Sequence, residues 1–131
     1  MFSFFKKKEK SNKTEQTQPL LTEEERQDLL AKIEAEKEAQ SSLESDHDLA
    51  NSYEKVGIWQ AELEEIDEAI KSLEASLDKE LSMGDGYKKL MSLYNQKRAQ
   101  AAKDRDNSAI EHYMNKMDDM RNIAKKLTLS R

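Results

Sequence analysis

The 131-residue chain is 36% hydrophobic and 37% charged, carries a net charge of −5, and contains three glycines, one proline and no cysteine. This length allows one modest hydrophobic core, and the composition is typical of amphipathic helices more than of sheets, which need turns. Without cysteine, disulfides and thiolate-bound metals are excluded, and no apolar run approaches the roughly 20 residues that would span a bilayer.

Residues 1–18 form a predicted basic, disordered tail. Phe2, Phe4 and Phe5 precede Lys6–Lys8, and residues 9–18 contain no large apolar side chain. Such a segment cannot bury enough surface to offset the entropy lost on ordering. Because its charges follow the aromatic residues, it does not read as a secretory signal. A weak contact of the Phe and Lys residues with an anionic membrane is an alternative use for it.

The first helix is predicted to begin near Thr22. The spacing of Thr22 and Glu25 is that of a capping box, in which the two side chains satisfy each other's backbone N–H groups. Apolar residues then recur at intervals of three and four, which gives the helix a single apolar stripe. The stripe consists of Leu29, Leu30, Ile33, Ala35 or Ala39, and Leu43.

A second helix is predicted to begin at Ser45–Asp48, since Ser and Asp are good N-terminal caps. We predict that this helix ends at Gly57, because glycine commonly ends a helix.

A regular apolar seam follows. Its members are spaced four, three, four, three and four residues apart, a heptad-like pattern that predicts one continuous helix reaching about Leu81. Alignment of the two repeated segments described below suggests a competing break at 65–67. The seam consists of Trp59, Leu63, Ile66, Ile70, Leu73 and Leu77.

Gly84-Asp85-Gly86 is the strongest break signal in the chain, because two glycines within three residues favour non-helical backbone. A helix is predicted on each side of it. The polar run 103–107 predicts a further turn, and apolar spacing from Ile110 to Leu127 predicts the last helix. The total is about five helices.

Charge is segregated along the chain. Residues 22–83 carry nineteen acidic and six basic side chains, whereas residues 84–131 carry eleven basic and six acidic ones. Two copies could therefore pair head to tail, and together with the apolar seam this makes a self-associating, coiled-coil-like structural protein an alternative hypothesis.

Two segments of the chain have similar sequences. The Leu and Tyr positions recur after 41 residues and the Ala-Ile pairs after 40, a period in the range of stacked helical hairpins. The two units resemble tetratricopeptide repeats, although they exceed that family's 34-residue length and lack its closing proline. The residues that carry the resemblance are Leu49, Ala50, Tyr53, Gly57, Ala69 and Leu73 in the first unit and Leu90, Tyr94, Ala109 and Tyr113 in the second.

The resemblance implies binding of a protein or peptide in a concave groove, with no catalysis. The residues themselves offer no competing chemistry: His47 and His112 have no second His at a metal-ligand spacing, and Gly84–Gly86 continues into neither a phosphate-binding nor a calcium-binding motif. The basic residues of the C-terminal part lack interleaved aromatic side chains, so nucleic-acid binding is not expected.

We therefore predict residues 19–131 to be a single all-α domain of antiparallel hairpins, either tetratricopeptide-like or an elongated bundle. Its expected role is that of a cytoplasmic adaptor or chaperone-like module, not an enzyme, without cofactor or metal. Methionines after residue 82 suit either an adaptable core or an exposed binding face. The candidate partner contacts are Tyr53, Trp59, Tyr87, Tyr94, Met114 and Met117.

Overall fold

The computed structural model describes residues 20–129, which form five α-helices and no strand. The all-α class and the number of helices are thus confirmed, while the predicted tail 1–18, with its possible membrane contact, lies outside the described residues. No helix in the described range combines the length and apolar character that a membrane span requires. The helices are α1 (Glu23–Gln40), α2 (Asp46–Glu62), α3 (Ile66–Lys79), α4 (Asp85–Lys103) and α5 (Asn107–Leu129).

The first helices begin where polar caps were predicted. The Thr22 hydroxyl accepts the Glu25 N–H at 3.0 Å, and the Glu25 carboxylate accepts the Thr22 N–H at the same distance. The Ser45 hydroxyl likewise accepts the Asp48 N–H at 3.0 Å. Each bond satisfies a backbone donor that a helix start leaves without an intrahelical partner.

The helices form two consecutive hairpins with an additional helix in front. We call α2 with α3 unit 1, and α4 with α5 unit 2. Each hairpin packs along its own length, unit 2 packs through α4 on both helices of unit 1, and α1 packs on α2.

Both hairpins close with the same backbone turn. In unit 1, Glu64 has φ 63° and its N–H donates to the Ala61 carbonyl, while the Glu65 N–H donates to the Gln60 carbonyl. In unit 2, Arg105 has φ 58°, and the Arg105 and Asp106 N–H groups repeat the two bonds one unit later. This is the Schellman arrangement for ending a helix. The two repeated sequence segments therefore form repeated structures, related by the same offset of 41 residues.

The prediction of one continuous helix from Trp59 to Leu81 is wrong. The chain leaves α2 after Glu62, turns through residues 63–65 and starts α3 at Ile66. The competing break near 65–67 is the correct alternative. The regular apolar spacing continues across the turn because α2 and α3 both direct apolar residues toward the interior.

The prediction of Gly57 as a helix exit is also wrong. Gly57 is buried in the interior of α2, where a Cβ atom would lie 2.6 Å from Leu73 Cγ and 3.2 Å from Ser72 Cβ. Two serines add bonds along the same contact: Ser72 donates to Gln60 Oε1 at 2.6 Å, and Ser76 donates to the Ala50 carbonyl at 2.8 Å. Small side chains thus allow α2 and α3 to approach closely.

Two apolar clusters hold the helices together. The smaller one joins α1 to α2 through Leu29, Ile33, Val56 and Leu63, with Trp59 packed against it. The larger one lies where α3, α4 and α5 meet. In the apolar seam, Leu63, Ile70 and Leu73 are buried in these clusters, and the other three residues pack against them and are partly buried. The larger cluster comprises Ala69, Ile70, Leu73, Leu90, Leu93, Tyr94 and Met120.

Polar contacts between the units run from acidic groups of unit 1 to groups of unit 2. Lys97 Nζ lies 2.9 Å from Asp67 Oδ1, and Lys116 Nζ lies 3.5 Å from Glu74 Oε2. The Gly86 N–H, in the first turn of α4, donates to Glu54 Oε2 at 2.6 Å. Some of the acidic groups of the first part of the chain therefore stabilise the contact between unit 1 and unit 2.

Candidate partner-binding groove

A groove of about 670 Å³ opens where the start of α1, the end of α2 and the middle of α4 converge. We call it the α1–α2–α4 groove. Its position follows from the fold, since α1 and α4 both pack on α2 and leave a gap beside the α2–α3 turn. The lining residues are Leu20, Leu21, Arg26, Ala61, Glu62, Leu63, Glu64, Ile66, Lys89, Ser92, Leu93 and Gln96.

The groove is lined by both polar and apolar side chains. Leu63 and Leu93 are only 6% and 3% exposed and belong to the two apolar clusters, whereas Leu21, Ala61 and Ile66 are partly exposed. Ser92 and Gln96 are exposed on α4 one helical turn apart, and can offer hydrogen bonds along the groove. Such a mixture is typical of sites that hold a ligand by apolar contact and orient it by a few polar groups.

The groove continues along α4. A second depression of about 350 Å³ is lined by Ile58 of α2 and by Asp85, Lys88, Lys89 and Ser92 of α4. Lys89 and Ser92 belong to both. The two depressions therefore lie next to each other along α4.

Charges of both signs border the groove. Glu62 and Glu64 stand at the α2–α3 turn, and Glu64 is fixed there by the left-handed backbone that ends α2. Arg26 of α1 and Lys89 of α4 provide positive charge. A bound segment with charges of both signs could form ion pairs along this border.

Two of the predicted partner contacts serve the core. Tyr94 is only 3% exposed, and its hydroxyl donates to the Glu74 carboxylate of unit 1. The Tyr87 hydroxyl donates to the Met120 carbonyl at 2.8 Å, which ties the start of α4 to α5. Both phenols thus fix helices relative to one another.

The other four candidates occupy different surroundings. Trp59 packs against the α1–α2 cluster with Lys32 Nζ 5.7 Å from its ring centroid. Tyr53 is partly buried, Met117 packs against the larger cluster, and Met114 is 50% exposed. None of the six lines the groove, and their partner-binding role stays a prediction.

Two ionisable groups at the contact between the units have shifted pKa values. Burial, reinforced by Glu74, raises the pKa of the Tyr94 phenol above its ordinary value. The hydrogen bond to Asp67 raises the pKa of Lys97. Neither group lines the groove, so both shifts concern the stacking of the units.

The histidines lie apart from the groove. His47 is exposed at the start of α2, where its Nδ1 lies 2.9 Å from Glu80 Oε1 just beyond α3. His112 is exposed on α5, with its ring nearly perpendicular to the ring of Tyr113 and the centroids 4.7 Å apart. Between residues 20 and 129, no three His, Asp or Glu side chains cluster in a way that could hold a metal ion.

The residues that form the groove gave little sign of it in the sequence. Ser92 and Gln96 are ordinary polar residues of a helix, and Ala61 and Leu93 belong to apolar stripes. Their convergence depends on how α1 and α4 pack on α2.

Comparisons of the chain with protein-family models, with curated proteins and with solved structures found no significant match.

Proposed function

We propose that this chain is a non-enzymatic protein-interaction module, a cytoplasmic adaptor or chaperone-like protein built from two atypical tetratricopeptide-like units. It binds an extended segment of a partner protein in the α1–α2–α4 groove. The observation that carries the proposal is the groove itself, whose lining combines partly exposed apolar side chains with exposed hydrogen-bonding groups of α4.

The neighbouring depression along α4 favours an extended peptide over a small metabolite as the ligand. Its volume of about 670 Å³ is within the range of ligand sites, and the shared Lys89 and Ser92 extend it lengthwise along α4. An extended segment presents apolar side chains on alternate residues and backbone N–H and C=O groups between them. Leu21, Ala61 and Ile66 are partly exposed and can contact the side chains of the segment, while Ser92 and Gln96 can bond its backbone.

Site-specific photo-cross-linking tests the proposal. The photoreactive residue p-benzoylphenylalanine is placed at Ser92, inside the groove, or at Asn115, an exposed position on α5. In cells of the source organism, we expect a discrete cross-linked protein from position 92 and not from position 115.

The cross-linked peptide is then sequenced and synthesised. It should bind the purified chain, and Ser92→Arg, which fills the groove, should weaken binding about tenfold or more. Cross-linking to the same proteins from both positions, or unchanged binding by Ser92→Arg, would contradict the proposal.

A further inference from the structure

The described part of the chain begins at the edge of the α1–α2–α4 groove. Leu20 and Leu21 both line the groove. Leu21 packs against the smaller apolar cluster, whereas Leu20 is 88% exposed. Residues 1–19 are therefore attached to the domain directly beside the groove.

Three aromatic side chains lie close together in sequence near the start of these residues. We call residues 2–5, which contain Phe2, Phe4 and Phe5, the aromatic segment. An extended backbone places alternate side chains on the same side, so Phe2 and Phe4 can contact one surface together. Each aromatic side chain can bury about 150–250 Å². Because residues 6–18 contain no large apolar side chain, the aromatic segment gains most from an apolar contact.

The groove offers what such a segment needs. Its volume of about 670 Å³ is within the range of ligand sites, and Leu21, Ala61 and Ile66 are partly exposed in its lining. Ser92 and Gln96 can bond an extended backbone. The aromatic segment therefore matches the kind of ligand proposed above for the groove.

The connection between the aromatic segment and the groove is long enough. Fourteen residues separate Phe5 from Leu20. Fully extended, they span up to about 50 Å. Helix α4, which has nineteen residues and runs along the groove, is only about 28 Å long. The aromatic segment can thus reach every part of the groove within the same chain.

The net charges of the two parts are opposite. The groove lining is balanced, with Arg26 and Lys89 against Glu62 and Glu64. Helices α1, α2 and α4 with the turn at 63–65 carry fourteen acidic and nine basic side chains. Residues 1–19 carry five lysines and two glutamates. Electrostatics therefore attracts the N-terminal residues to the helices that surround the groove.

We infer that the aromatic segment occupies the α1–α2–α4 groove when no partner is bound and competes there with the partner segment, an inference that rests on the proposed function. A short linker gives a tethered segment an effective concentration on the order of millimolar. With an intrinsic dissociation constant of about 0.1 mM, the aromatic segment weakens partner binding about tenfold. The chain thus selects partners that bind more tightly than its own N-terminus.

Photo-cross-linking within the purified full chain tests the contact. The photoreactive residue p-benzoylphenylalanine is placed at Gln96, at the groove, or at Asn115 on α5, both of which are exposed. We expect a cross-link to the peptide that contains residues 2–5 from position 96 and not from position 115. Absence of this cross-link, or equal yields from both positions, would overturn the inference. So would mixing with isotope-labelled chains, if it showed that the linked peptide comes from a second copy.

Matched variants of the N-terminal residues test the competition. One variant combines Phe2→Ser, Phe4→Ser and Phe5→Ser, and its control combines Asn12→Ser, Thr14→Ser and Thr17→Ser. The partner segment identified by cross-linking at position 92 is titrated into both full chains. We expect its affinity to rise about tenfold in the first variant and to change by less than about twofold in the control. Equal affinities in the two variants would contradict the inference.

The two proposals can fail separately. Unchanged binding of the partner segment by Ser92→Arg contradicts the proposed function. Weaker binding by Ser92→Arg, without a gain in the variant that lacks the three Phe residues, contradicts only the competition. The cross-link within the purified chain needs no partner, so it tests occupancy of the groove by the aromatic segment in either case.

Discussion

Gly57 sets the distance between α2 and α3 by lacking a side chain. We expect Gly57→Ala to destabilise the fold by about 1–3 kcal/mol, since its Cβ would lie 2.6 Å from Leu73 Cγ and force the helices apart. This cost exceeds the gain of up to about 1 kcal/mol that alanine brings to a helix interior. Urea denaturation followed by circular dichroism measures it.

A double variant checks that the clash with Leu73 is the cause. Leu73→Ala alone should cost about 2–5 kcal/mol through the cavity it leaves. Combined with Gly57→Ala, the loss should be smaller than the sum of the two, because the added methyl group then has room. If the two losses in unfolding free energy were additive, a clash with Leu73 would not be the reason that Gly57→Ala destabilises the fold.

Tyr94 links the stability of the protein to pH. Its folded-state pKa is raised by burial and by Glu74 above the ordinary value of 10.0. Well below pH 10 the phenol is neutral in both states and its stabilisation is complete. As pH rises above 10 only the unfolded phenol ionises, and the stabilisation is lost.

Tyr94→Phe should therefore cost about 1 kcal/mol at pH 7 and flatten the fall in unfolding free energy above pH 10. Tyr53→Phe, at the matching position of unit 1, controls for removal of one phenol. Urea denaturation at pH 8 and pH 11 provides the comparison. An alkaline fall as steep in Tyr94→Phe as in the unaltered chain would exclude this phenol as its source.

Among the helices, those that begin at side-chain caps were predictable from local residues, whereas only alignment of the two repeated segments suggested the α2–α3 turn. Thr22 and Ser45 mark the starts of helices because their hydroxyls accept hydrogen bonds from specific backbone N–H groups. The turn at Glu64 has no such signal, since a glutamate occupies the left-handed position where glycine is usual. The apolar spacing also continues across the break, so periodicity alone favoured a single helix.

Glu64→Gly tests this account of the turn. Glycine adopts φ 63° without steric cost, and we expect a gain of about 0.5–1 kcal/mol. Glu62→Gly, in the last turn of α2, should lose a similar amount because glycine is a poor helix residue. Thermal unfolding compares the two. A loss of stability in Glu64→Gly would mean that the glutamate side chain stabilises the turn.

At the scale of the whole molecule, unit 2 is oriented by contacts that no local pattern reveals. Glu54 of α2 accepts the Gly86 N–H and places negative charge at the start of α4, where the helix dipole is positive. The sequence predicted helices on both sides of Gly84–Gly86, but not that a residue thirty-two positions earlier would hold the second one. The groove follows from this stacking, which is why the sequence did not locate it.

Glu54→Ala should lower the unfolding free energy by about 1–2 kcal/mol. Glu62→Ala, an exposed glutamate of the same helix, should change it by less than about 0.5 kcal/mol. Urea denaturation at low salt measures both. Similar effects of the two substitutions would show that the contact with Gly86 does not orient unit 2.

The central claim is that a partner segment lies in the α1–α2–α4 groove. The most direct measurement is calorimetric titration of the segment cross-linked at position 92 into the unaltered chain, Ser92→Arg and Met114→Asp. We predict affinity about tenfold or more weaker in Ser92→Arg and unchanged in Met114→Asp. Equal affinity for the unaltered chain and Ser92→Arg would contradict the claim.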